Sequence, residues 1–261
     1  MRQAAQALDP AQLAELRRSF LRVMGSLVVV CAVTDVAFFR HLPGAALGIL
    51  VAAQAGVFAP LVPLGLHYLP LVRAPGGPLH RRWVLPNVLT AARIFAIPSV
   101  VIGLQHLDDA RTRTGVAVLF VVAAGSDLLD GFISRRFGRE TELGRALDPF
   151  ADTCFYTAVS AALFAADLLP PWFLAVALGR FVPSFIVGFW LFLRGGALEI
   201  APTGLGKASS AGVGVTILAY LMVAVRVPVP AQALLILAIG VTLLCAAAAT
   251  QYARLALRRL G

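Results

Sequence analysis

The sequence predicts an all-α fold, a polytopic bundle of transmembrane helices, and three observations carry that prediction. Of the 261 residues, 59% are hydrophobic and only 13% are charged, against roughly a quarter charged in an ordinary soluble domain. The mean hydropathy is +0.85. The apolar residues also fall in successive stretches of about 20, the length at which a helix crosses the hydrocarbon core of a bilayer.

The elements follow in chain order. Residues 1–18 are polar with Leu8, Leu13 and Leu16 interspersed, the pattern of an amphipathic cytoplasmic helix on a membrane surface. Eight candidate spans come next, at approximately 19–39, 44–70, 87–106, 115–134, 147–168, 172–194, 208–225 and 230–253. Pro43, Pro86, Pro170, Pro171 and the Pro228–Pro230 stretch fall in or beside the connections, where a residue without an N–H does least harm. Arg17-Arg18-Ser19-Phe20-Leu21-Arg22 has the outline of a twin-arginine export signal. The apolar run after it continues to Phe39 and further spans follow, so it reads as the basic flank of a retained first span. The two spans within 19–75 read as an addition to a six-helix body over 80–261. There is no internal repeat.

Charge sets the orientation. The net charge of +9 does not point to nucleic acid, because the basic residues lie mostly between apolar segments. With both termini cytoplasmic, only Arg40, Arg111, Arg113 and Arg226 fall on the outer side, which is the asymmetry that cytoplasmic loops show. Asp35 lies in the first span near its far end, beside Arg40, and reads as half of a local pair or as an interfacial residue, not as a site. Trp83, Gln105 and the histidines read as interface residues. Cys31, Cys154 and Cys245 lie in apolar segments without metal-type spacing and read as small buried residues.

The chemistry concentrates in one stretch. Asp127 and Asp130, followed by Gly131, Ser134 and Arg135, precede Gly144, Asp148 and Asp152. A carboxylate inside a bilayer costs several kcal/mol unless it has a partner. On a helix Asp127 and Asp130 point within about 60° of each other, and Asp148 and Asp152 within about 40°. A short connection makes the two helices antiparallel neighbours, so both pairs can face one pocket. Oxygen donors of this kind suit a hard divalent cation, Mg²⁺ or Mn²⁺, and two ions would suit displacement at phosphorus. The plain alternative is helix capping or ion pairing with Arg135, Arg136, Arg139 and Arg145, which is common and weakly stabilising.

The pattern D-x₂-D-G-x₂-S-R-x₈-G-x₃-D-x₃-D resembles the signature of the CDP-alcohol phosphatidyltransferase family, class I, with Ser134 where that family usually has Ala. A chance match at seven fixed positions is on the order of one in 10⁹ per start point. Upstream, Pro86-Asn87-Val88-Leu89-Thr90-Ala-Ala-Arg93 resembles the same family's P-N-x-L-T-x-x-R segment. The resemblance covers about residues 80–225.

The resemblance implies a reaction and a set of roles. Asp127, Asp130 and Asp148 would ligate the metal, with Asp152 at the metal and acting as general base. The CDP-lipid would be held by Asn87, Thr90, Gly131, Arg135 and Thr141, with Gly144 at the same site. The acceptor oxygen would attack the β-phosphorus of CDP-diacylglycerol and release CMP. Arg180, in the middle of an apolar segment, and Lys207, the only lysine, are candidates for the acceptor's phosphate, although Arg180 could equally offset the aspartates and Lys207 anchor a loop.

The segment Gly138 to Pro149 looks most like bacterial members that use glycerol 3-phosphate or phosphatidylglycerol. Inositol-type and amino-alcohol acceptors are the alternatives within the family. A cation transporter or channel is the rival from another class, and it predicts acids spread along several spans. The expected setting is a multi-pass protein of the inner (plasma) membrane with its site on the cytoplasmic side, a bilayer and CDP-diacylglycerol as partners, no nucleic acid, and a homodimer as the assembly entertained.

Overall fold

The computed structural model describes residues 9–137, 141–193 and 203–260, and the side chains of 9–126, 141–187, 190, 203–252 and 254. Eight α-helices form in the order α1 (Pro10–Phe39), α2 (Gly44–His67), α3 (Leu85–Leu104), α4 (Ala110–Phe137), α5 (Glu142–Ala165), α6 (Pro171–Leu193), α7 (Gly204–Ala224) and α8 (Ala231–Leu260). A single 3₁₀ turn, Leu69–Leu71, follows α2. Among the described residues the one β-pairing is an isolated bridge between Arg73 and Leu79. All eight expected spans correspond to helices.

Among the described residues, five helices are long and apolar enough to cross a membrane: α1, α2, α3, α7 and the Ala231–Tyr252 part of α8. The Pro171–Val187 part of α6 is a shorter apolar stretch. α4 and α5 also have the length, but they carry the charged motif.

Four of the helix starts are capped by a side chain. Asp9 caps α1 by accepting from the Ala11 N–H at 3.0 Å, with Pro10 at the first position. Asp109 accepts from Arg111 N at 2.7 Å and Thr112 N at 3.3 Å to begin α4. Thr141 and Thr203 do the same for α5 and α7, accepting from Gly144 N at 2.8 Å and Gly206 N at 3.0 Å. α1 runs unbroken from residue 10 to residue 39, so the described part of the N-terminal segment and the first span are one helix. Leu16, Phe20, Met24 and Leu27 recur along it as a buried stripe that no proline interrupts.

The chain divides into two compact units, residues 1–155 and 156–261. In the first, the α1 stripe packs with Leu69, Val72, Trp83, Phe95 and Leu143. Trp83 is therefore a core residue, 7% exposed and with its ring 4.7 Å from that of Phe20, and not the interface residue its position suggests. Phe58 of α2 stacks on Phe95 of α3 at 3.8 Å. Close approach needs glycine at Gly103, where a Cβ would lie 2.5 Å from Val116 and 2.9 Å from Phe39. Asp35 is not paired with Arg40. Its carboxylate takes the Ser99 hydroxyl at 2.6 Å and, more weakly, Gln54 Nε2 at 3.4 Å, because α3 brings a buried donor to it.

In the second unit Val213, Ile217 and Leu221 of α7 are buried with Ala238, Val241 and Ala248 of α8. Tyr156 stacks on Phe181 at 5.1 Å, and Phe173 meets Tyr220 at 6.0 Å.

Candidate active site

Asn87, Thr90 and Arg93 recur every three residues at the start of α3, and all three are buried. At that spacing they lie within about 120° of helix surface, one polar stripe on an otherwise apolar helix. The face they meet belongs to the first half of α5, where Gly144, Asp148 and Asp152 recur every four residues. The two stripes join in register.

At the first level Thr141 donates its hydroxyl to Asn87 Oδ1 at 3.1 Å while accepting from the Gly144 N–H. A Cβ on Gly144 would sit 2.9 Å from Asn87 Oδ1 and 3.0 Å from Thr141 Oγ1, so only glycine leaves these polar atoms their space. Asn87 is 1% exposed and its Nδ2 has no hydrogen-bond partner among the described residues. A buried amide N–H of this kind costs about 1–3 kcal/mol until an acceptor arrives.

At the second level Thr90 Oγ1 lies 2.7 Å from Asp148 Oδ1 and 3.0 Å from Pro86 O. The hydroxyl has one proton, and the shorter contact to a carboxylate takes it. At the third level Arg93 donates Nη1 to Asp152 Oδ1. Its Nε donates to Ala123 O at 3.2 Å and its Nη2 to Ser126 Oγ at 3.3 Å. Ser126 immediately precedes Asp127, so Arg93 ties the turn of α4 that begins the aspartate motif to the acid of α5 that ends it. A planar fork with several donors can make three such bonds at once, which an ammonium cannot.

The start of α5 is pinned separately. Arg73 Nε donates to Glu142 Oε2 at 2.9 Å, and Glu142 N donates to Arg73 O at 3.0 Å.

Of the residues expected at the site, Asn87, Thr90, Thr141, Gly144, Asp148 and Asp152 are brought together. Asp127, Asp130, Gly131 and Arg135 lie on α4, but their side chains fall outside the described residues. Among the described residues no three His, Cys, Asp or Glu side chains cluster. Asp148 and Asp152 are the described half of the expected set of four. They stand one turn apart and are partly exposed, with Thr90 and Arg93 buried behind them, and paired carboxylate oxygens at such an opening fit a hard divalent cation. Sequence reasoning quoted Arg93 within its segment without giving it a part; the signal was its spacing of three from Thr90.

Arg180 and Lys207 belong to the second unit. Arg180 donates to Ser209 Oγ at 2.8 Å, Gly206 O at 2.8 Å, Ser210 Oγ at 2.6 Å and Ser184 Oγ at 3.1 Å. Its described hydrogen-bond partners are all neutral. Lys207, one residue from Gly206 at the first turn of α7, is exposed.

These features define a multi-pass helical membrane protein with carboxylates and buried polar donors grouped at one end of α3. Residues 83–248 match the family described as CDP-alcohol phosphatidyltransferase, and the chain belongs to that family. Its relatives include proteins named CDP-diacylglycerol–glycerol-3-phosphate 3-phosphatidyltransferase. The one from Bacillus subtilis is 34% identical over 134 residues, which is 47% of this chain and 68% of that protein. The one from Cereibacter sphaeroides is 30% identical over 126 residues, 48% of this chain and 57% of that protein. The one from Rickettsia typhi is 40% identical over 83 residues, 32% of this chain and 46% of that protein. No solved structure matches the chain.

Proposed function

We propose that this protein transfers the phosphatidyl group of CDP-diacylglycerol to glycerol 3-phosphate, releasing CMP, as a step of phospholipid synthesis. Membership of the family and the activity for which the Bacillus and Cereibacter relatives are named support this reading. The observation that carries it is the register of α3 on α5: Asn87 with Thr141 and Gly144, Thr90 with Asp148, and Arg93 with Asp152.

The buried Nδ2 of Asn87 is a donor held ready for an acceptor atom of the nucleotide. Gly144 keeps the wall beside it free of a side chain. Arg135 and Gly131 would take the phosphates from α4. Asp127, Asp130, Asp148 and Asp152 would hold Mg²⁺ or Mn²⁺, in all two ions. Such ions supply charge neutralisation at the phosphoryl oxygens. Thr90 fixes the Asp148 carboxylate from behind, as second-layer donors do at metal sites. Arg93 fixes Asp152 in place through the guanidinium–carboxylate contact. Asp152 takes the proton of the acceptor hydroxyl as the new oxygen–phosphorus bond forms and the bond to CMP breaks. Arg180, and with it Lys207, would hold the phosphate of the acceptor.

The basic loops argue for a plasma-membrane protein with both termini and this site on the cytoplasmic side. We further read residues 1–18 as a surface segment, 19–75 as two added spans, and 80–261 as the transferase body. The test is direct. Purified protein with CDP-diacylglycerol, Mg²⁺ or Mn²⁺ and a panel of alcohols is followed by CMP release. Release that depends on glycerol 3-phosphate is expected; no release with any acceptor overturns the reading.

A further inference from the structure

α1 and α2 border a cavity of about 570 Å³, open on one side, whose wall includes Val28, Cys31, Leu50 and Phe58 together with Asp35 and Gln54. The volume falls within the range of small-molecule sites, about 300–1,000 Å³. It is separate from the candidate active site. Its polar wall is backed by Ser99, which is twelve residues along α3 from Asn87, or about 18 Å of helix.

Apart from Arg40 at its rim, the polar wall is short of donors. Gln54 Nε2 donates to Ser99 Oγ at 3.0 Å, and Ser99 in turn donates to Asp35 Oδ1 at 2.6 Å. The group thereby directs its own protons inward. What remains is acceptors: Gln54, 9% exposed, keeps Oε1 without a partner among the described residues, and Asp35 receives only one further, weak bond at 3.4 Å. A carboxylate has about four lone-pair positions to fill. On the hydrocarbon side of the cavity no water is at hand to fill them. An occupant that brings N–H or O–H groups fills these positions.

The rest of the wall asks for hydrocarbon. Val36 borders the cavity and is 59% exposed, as are Val29 and Val33 on the same helix to a similar degree, so this surface meets lipid chains. Arg40, the capping residue at the end of α1, borders the cavity one turn beyond Asp35. Asp35 itself is about 6 Å from that end of the helix, within reach of the headgroup layer.

We propose that the cavity is a lipid-binding site that takes one apolar chain between α1 and α2 and a hydroxyl or ammonium headgroup donor at Asp35 and Gln54. A glycerol-type hydroxyl and an ethanolamine-type ammonium share this chemistry, and a choline headgroup lacks it.

The full chain, purified in detergent, is equilibrated with phosphatidylglycerol, diacylglycerol, phosphatidylethanolamine or phosphatidylcholine, and retained lipid is counted by native mass spectrometry. Binding is read without any assay of transfer, so the result stands apart from the reading of the catalytic site. One or more donor lipids should be retained well above phosphatidylcholine. Whether the hydroxyl or the ammonium lipids are retained tells which source fills the site. Asp35→Asn should weaken retention by about tenfold, the value of one hydrogen bond to a charged group. Ala32→Phe fills the cavity while leaving Asp35 and Gln54 in the sequence, and should abolish retention. Equal retention of phosphatidylcholine, retention of none of the four, or unchanged retention in Ala32→Phe overturns the proposal.

Discussion

Arg93 of α3 grips Asp152 of α5, a guanidinium 1% exposed holding a carboxylate 29% exposed. The difference in exposure separates their parts. The cation is locked behind the site by Ala123 and Ser126, and the anion presents at the opening.

Removing either partner should therefore do different things. Arg93→Ala leaves a buried hole and takes the guanidinium away from Asp152, at a cost of about 3–5 kcal/mol. Asp152→Asn preserves shape and one acceptor, so the loss of stability should be about 1–3 kcal/mol. Its rate of CMP release should nonetheless fall by about 10²–10⁴, the usual contribution of a general base. Thermal unfolding in detergent and CMP release, measured on both variants, separate the two effects. A wild-type rate in Asp152→Asn would remove Asp152 from the chemistry.

Gly144 meets two polar atoms within about one van der Waals contact, and any side chain must push Asn87 and Thr141 apart. Gly144→Ala should cost about 1–3 kcal/mol by overpacking. It should also raise the KM for CDP-diacylglycerol while leaving that for glycerol 3-phosphate near wild type. Initial rates with each substrate varied in turn check this, and a shift confined to glycerol 3-phosphate would place the nucleotide elsewhere.

Metal dependence has its own test at Thr90. Chelation should abolish CMP release, and added Mn²⁺ or Mg²⁺ should restore it. Thr90→Val keeps the shape and deletes the donor to Asp148. Loss of such a second-layer bond typically weakens metal affinity about 10–100-fold. The metal concentration for half-maximal rate should rise accordingly, with the maximal rate largely recovered at saturation. An unchanged metal requirement would leave Thr90 as a packing residue only.

Much of this was legible in the sequence, for reasons that differ by residue. Helices α1 to α3 and α6 to α8 follow apolar runs, and a bilayer enforces that pattern strongly. The starts of α4 and α5 lay several residues outside the apolar runs, because Asp109 and Thr141 cap helices whose first turns are charged or polar. Asn87, Thr90, Gly144, Asp148 and Asp152 were legible through spacing and resemblance. Arg93 was not, because an arginine near a basic flank reads as a topology signal, and its partner lies 59 residues away. Asp35 misled in the same way: Arg40 is its neighbour in sequence, while Ser99 and Gln54 reach it only once three helices have packed.

Two helix ends carry avoidable strain. Asp167 and Arg226 stand at φ 58° and 66°, in the left-handed region where glycine is favoured. Both occupy the residue after the cap of a helix end closed by paired bonds, Leu168 N to Leu163 O at 2.9 Å and Val227 N to Met222 O at 2.8 Å. Arg226→Gly and Asp167→Gly should each stabilise the protein by about 1 kcal/mol, offset in part by the added freedom of the unfolded chain. Thermal unfolding reads this, and a fall in midpoint for both would mean the side chains contribute more than the strain costs.

Arg180 of α6 has a test of its own. It sits in an apolar helix with three hydroxyls and one carbonyl as its described hydrogen-bond partners, all neutral dipoles that orient a charge without cancelling it. A cation at that depth is costly unless an anion completes the set. A phosphate would do so, and glycerol 3-phosphate carries one. Arg180→Gln should therefore raise the KM for glycerol 3-phosphate by about tenfold or more, the value of a charge-assisted bond, while the KM for CDP-diacylglycerol holds. Arg180→Lys should recover only part of the loss, since an ammonium cannot keep the serines and engage phosphate with the same fork. Equal changes in both KM values would instead mark Arg180 as a structural tie between α6 and α7.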